Sequence, residues 1–156
     1  MRLTSFWLVR WGMALWVAFG AADALGYAGL TLTYKLGLST EHPPYPWNFR
    51  WNVPLLEVTP LWEPMLVGAA GVVLLLAAVL ILRRKRVALE ALVAPFAVLL
   101  LLYAVRVSRP QSGILQSLSA VYQRKPFEMI WPIAGLAITI LIGLALWQDR
   151  RTPVPR

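Results

Sequence analysis

The chain contains no cysteine, which removes disulfides, thiol nucleophiles, iron–sulfur clusters and cysteine-ligated zinc. It has one histidine, His42, so any metal, haem or chlorin site has a single imidazole to draw on. No serine–histidine–acid set, no pair of carboxylates on one helix, no glycine-rich phosphate loop and no zinc-ligand spacing occurs. Charge is scarce as well. Only 14% of residues are charged, whereas soluble domains carry about 25%. With 59% hydrophobic residues and a positive mean hydropathy, that deficit places the chain in a membrane. Its 156 residues suffice for one bundle of about three to five spans, with no further soluble domain.

What is present is arranged around four consecutive cations, Arg83, Arg84, Lys85 and Arg86. They separate two apolar runs, 65–82 and 87–105; the first has no charged residue and the second has only Glu90. Eighteen helical residues rise about 27 Å, close to the thickness of a hydrocarbon core. A link this short joins two such helices only as a hairpin, and its charge orients it toward the cytoplasm and anionic lipid headgroups. Glu90 stands four residues after Arg86, the spacing of a helical ion pair near that surface. Pro95 deprives the carbonyl of Ala91 of its helical partner and predicts a kink, either a hinge or a packing feature.

The run 6–30 is interrupted by Arg10 and Asp23. Ala22-Asp23-Ala24 resembles the cleavage site of a signal peptide, but Arg10 breaks the apolar core that a signal needs. The run therefore reads as a first span, with Arg10 reaching back toward the cytoplasmic headgroups. The last span is 129–147, bracketed by Trp131 and Trp147.

The expected fold is an all-α integral membrane protein: a single domain of four transmembrane helices, multi-pass in the cell (inner) membrane, with both termini cytoplasmic. On that topology nine cations lie inside (Arg2, Arg10, the four of the link, Arg150, Arg151 and Arg156) and six outside (Lys35, Arg50, Arg106, Arg109, Arg124 and Lys125). A net charge of +8 would suggest nucleic acid for a soluble protein. Here the cations sit at helix ends, so the expected partners are anionic lipids and other membrane subunits, with no nucleic acid.

Two exterior segments, 31–64 and 106–128, carry candidate contact surfaces. Tyr45, Trp47, Phe49 and Trp51 alternate with Pro46, Asn48, Arg50 and Asn52, which predicts an extended loop with one aromatic edge. That edge either packs over the chain's own helices or meets a partner. His42 in the same segment is either a solvated loop residue or a cofactor ligand. Bound lipid is expected, and no other cofactor is required. In the second segment Ile114, Leu115, Leu118, Val121 and Tyr122 follow helical spacing, which predicts a short amphipathic helix on the outer surface or against a neighbouring subunit.

Within the spans, Asp23 carries most of the chemistry. Seven residues before Leu30, it falls about 10 Å below the outer end of the expected helix. It needs a partner, water or a proton there, and Arg106 at the exterior end of the third span is the candidate counter-charge, with Tyr103 one turn away. A structural pair, a headgroup-level position and a proton or ion role are all open to it. Gly20 with Ala24, Gly26 and Gly29, Gly68 and Gly71, and Gly135 and Gly143 offer notches for close helix approach.

Three functional classes follow. The poor chemistry and plentiful contact surfaces favour a non-catalytic accessory subunit of a larger membrane complex, respiratory or photosynthetic among the options. A small component of a secondary transporter is the alternative, and its signature would be Asp23 lining a polar cavity. A lipid-modifying or redox enzyme would need catalytic groups that are scarce here.

Overall fold

The computed structural model describes residues 6–38, 60–108 and 130–151, the side chains of 103–108 and 130–132 excepted. These residues form four α-helices and, among them, no strand: α1 (Trp7–Lys35), α2 (Trp62–Leu82), α3 (Ala88–Ser108) and α4 (Ile130–Arg151). By length and composition α1, α2 and residues Ile133–Arg151 of α4 can each cross a membrane. The chain is a membrane protein on that measure.

Helices form over the four runs expected to span, with shifted ends, and three of them have the length and apolar composition of a span. The first runs on to Lys35, five residues beyond its expected stop, because nothing in Thr31–Lys35 breaks a helix and Gly37 is the first residue suited to end one. At Gly37 (φ +69°) the amide of Leu38 donates to the carbonyl of Thr33, and that of Gly37 to Tyr34. This left-handed cap is what a glycine permits. The second span starts three residues early, with Pro64 buried in its first turn. Pro95 lies inside α3 without ending it. The aromatic strip, His42 and the expected helix bearing Leu115, Leu118 and Tyr122 lie outside the described residues.

α2 ends in the same cap as α1, with a different residue in the strained place. Lys85 donates its amide to Leu80, Arg84 donates to Ile81, and Arg84 itself adopts φ +54°. A side chain in that region costs about 1 kcal/mol relative to glycine. Arg84→Gly is therefore expected to raise the midpoint of thermal unfolding in detergent, by an amount equivalent to about 1 kcal/mol. An unchanged midpoint would show that the cation recovers the cost elsewhere.

The core is a seam of small residues between α1 and α2. On α1 the buried positions are Met13 and then Ala14, Val17, Ala21, Ala24, Ala28 and Thr31, the last six spaced alternately three and four apart. On α2 they are Ala70, Gly71, Leu74, Ala77, Ala78 and Ile81. This is the spacing of a helix pair packed along a narrow stripe. In lipid, where apolar burial drives little, close backbone approach supplies the attraction. Gly68 and Gly71 make that approach possible. A Cβ at Gly68 would stand 3.1 Å from Ala28 Cβ; one at Gly71 would stand 2.9 Å from Leu25 Cγ and 3.2 Å from the carbonyl oxygen of Ala21. By contrast Gly20, Gly26, Gly29 and Gly143 face open space. The notches that hold the bundle are thus the pair on α2, met by alanines on α1.

α3 packs on α2 through Ala88 and Leu92, and α4 follows against α3 with Ile142 and Ala145 buried. Trp16 ties α4 back to α1: its indole Nε1 donates to Thr139 Oγ1 at 3.3 Å, and its ring lies over Gly135.

Candidate functional site

The contacts of Gly68 and Gly71 set the register of α1 against α2, and with it the depth of Asp23. Ala21 and Ala24 flank Gly71, so Asp23 is level with the middle of α2: Gly71 is nine residues from Trp62 and eleven from Leu82. Measured along α1, Asp23 is twelve residues, about 18 Å, before Lys35. It stands farther from the end of α1 than the sequence placed it, because α1 runs five residues beyond its expected stop.

Beside Asp23 the four helices line a half-open pocket of about 340 Å³, to which Asp23 and Gly20 are both exposed. α1 contributes the stripe Trp16, Gly20, Asp23 and Tyr27, spaced four, three and four residues apart, with Val17 and Ala24 beside it. α2 adds Glu63, Val67 and Leu74; α3 adds Phe96, Leu99 and Leu102; Thr139 on α4 completes the wall. Gly20 opens onto this space, with nothing within 4 Å of the place a Cβ would take. The wall is mainly apolar and aromatic, carries two carboxylates and contains no lysine, arginine or histidine among the described residues. That is the usual make-up of a small-molecule site: hydrophobic walls and a few placed polar groups.

Asp23 is reached by no hydrogen bond or ion pair among the described residues. Its expected partner, Arg106, lies in the last turn of α3, and that side chain is outside the described residues. Glu63 enters the site from a different direction. It is only 3% exposed, at the N-terminal end of α2 where the helix dipole favours a negative charge. Thr31, one turn beyond Tyr27, is fully buried, and its hydroxyl has no partner among the described residues.

The second acid pair is corrected. Glu90 is bound by Arg150 of α4 and not by Arg86. An i,i+4 pair needs both residues on one helix, and α3 begins only at Ala88, leaving Arg86 in the turn before it. Both partners are substantially exposed, so the pair contributes little energy. Its value is geometric: it puts the C-terminal end of α4 beside the cations of the hairpin link. Arg151 stacks on Trp147 at 3.7 Å at that same end.

Of the pocket residues, Asp23 stood out beforehand as a functional group, and Gly20 with Ala24 only as a packing notch. Trp16, Tyr27, Glu63, Phe96 and Thr139 did not. The available signal was the recurrence of Trp16, Gly20, Asp23 and Tyr27 on one helical face, a polar and small-residue stripe inside an otherwise apolar span. No family model, no characterised protein and no solved structure matches the chain.

Proposed function

We propose that the chain is a small component of a secondary transporter, with Asp23 in the pathway of its substrate. The observation that carries this reading is the position of Asp23 on the wall of a half-open four-helix pocket, near the middle of a helix long and apolar enough to cross a membrane. An ionisable group at that depth is retained at a cost and marks a pathway or a binding site. In the proposed topology four spans cross the cell (inner) membrane, with both termini and the 83–86 link in the cytoplasm. The Glu90–Arg150 pair supports it by gathering the link cations, Arg150 and Arg151 at one end of the bundle.

The test is efflux from proteoliposomes loaded with a mixed panel of cationic, neutral and anionic solutes and read by mass spectrometry. The parent chain is expected to release at least one solute faster than protein-free vesicles. Asp23→Asn, and separately Gly20→Leu, should remove most of that release. Release equal to protein-free vesicles, or release indifferent to both substitutions, sinks the reading.

A second reading, an accessory subunit docked to other membrane proteins, is favoured by the light packing of α4. Only 11% of its membrane-length window is buried within the chain, against 33% for α1 and for α2. The docking surfaces proposed for it are Tyr45, Trp47, Phe49 and Trp51, with Leu115, Leu118 and Tyr122. Changing Trp47 and Trp51 together to serine should release a stoichiometric partner from the complex isolated in mild detergent while leaving the isolated chain as stable as before. A complex that survives the double change counts against it.

A further inference from the structure

We infer that the Asp23 cavity takes a monovalent organic cation with a small aromatic or branched apolar body. The inference rests on reading the cavity as a transport site and names the class of its substrate. Charge gives the first reason. Asp23 stands level with Gly71 in the middle of α2, with no described partner, and Glu63 adds a second carboxylate to a wall that holds no cation among the described residues. An anionic solute is repelled by the Asp23 carboxylate, and a neutral one leaves it without a counter-charge.

The remaining wall decides between kinds of cation. Two carboxylates amid Val17, Leu74 and Leu99 supply too few oxygen ligands for a hard divalent ion, which takes six or more. Among the described residues no group of three His, Cys, Asp or Glu comes together. Trp16, Tyr27 and Phe96 instead present aromatic rings from α1 and α3, surfaces that attract a positively charged alkylammonium and pack against its body. The half-open pocket of about 340 Å³ has room for the apolar body of an amine with one ring or a few branched carbons. Gly20 keeps that room free, since any larger side chain there projects into it without meeting a neighbour.

The experiment compares benzyltrimethylammonium with its neutral carbon isostere, neopentylbenzene, by equilibrium dialysis against the full chain in lipid nanodiscs. The ammonium carries a permanent charge, so its own protonation plays no part. Saturable binding of the ammonium is expected, with the neutral isostere weaker by about tenfold or more. Asp23→Asn should abolish that preference. Gly20→Leu should exclude both compounds while leaving helix content and thermal midpoint unchanged. Equal binding of the two compounds by the parent chain, absence of saturable ammonium binding, or an unaltered preference in Asp23→Asn overturns the inference. The two readings fail separately. Asp23-dependent efflux confined to neutral or anionic solutes leaves transport standing and removes the cation. Asp23-dependent ammonium binding with no solute released keeps the cation and removes transport.

Discussion

Gly71→Leu is expected to destabilise the bundle by about 3 kcal/mol, the upper range for forcing a side chain into a closed contact. The first carbon added already meets Leu25 Cγ at 2.9 Å and the backbone carbonyl of Ala21 at 3.2 Å. A leucine side chain opposite could rotate away, but the Ala21 carbonyl belongs to the helix backbone, so α1 and α2 must separate. Separation opens the whole seam from Ala14 to Thr31, whose alanines have no longer side chain with which to fill a gap. Gly143→Leu is the matched control: the same change in a helix, at a position facing open space. It should leave the thermal midpoint in detergent within about 0.5 kcal/mol of the parent. Equal effects at the two positions would contradict the close α1–α2 contact.

Neutralising the link is expected to scramble the orientation of the chain. In the proposed topology nine cations face the cytoplasm and six face outward; replacing Arg83, Arg84, Lys85 and Arg86 with asparagine removes four of the nine and leaves five. The bias that sets insertion is then gone, because orientation follows the distribution of Lys and Arg near the span ends. A reporter fused after Arg156 should report cytoplasm for the parent and a mixture of both sides for the quadruple variant. A parent whose C-terminus reports the outside contradicts the topology. A variant that keeps a single orientation shows that another feature, such as Arg2 with Arg10 on the first span, sets it.

The α2–α3 hairpin was legible because hydropathy and charge change sharply at one place. Eighteen apolar residues end at Leu82, four cations follow, and a second apolar run begins directly after them, which a tight turn between two helices accommodates. The end of α1 was not legible in the same way. Thr31–Lys35 is polar enough to read as a loop, yet Thr31 is fully buried on the seam and the helix continues to the glycine cap. The Arg86–Glu90 spacing misled for a related reason. Spacing implies contact only once both residues are helical; α3 starts at Ala88, two residues after Arg86, and Glu90 is bound by Arg150 instead.

Local sequence therefore determined the class of protein, the number of apolar helices and the place of the tight turn, since each depends on solvation and backbone preference along a short stretch of chain. It also marked Asp23, because an ionisable group in an apolar run is conspicuous wherever it points. The rotation and register of one helix against another decided the rest. Gly71 closes a contact while Gly20 faces a cavity, and both are glycines in apolar helices with nothing nearby in sequence to distinguish them. Their difference comes from which face meets the neighbouring helix. That face is set by the summed packing of the Ala14–Thr31 seam against α2, and the same packing brings Glu63, Phe96 and Thr139 from three other helices to the wall around Asp23.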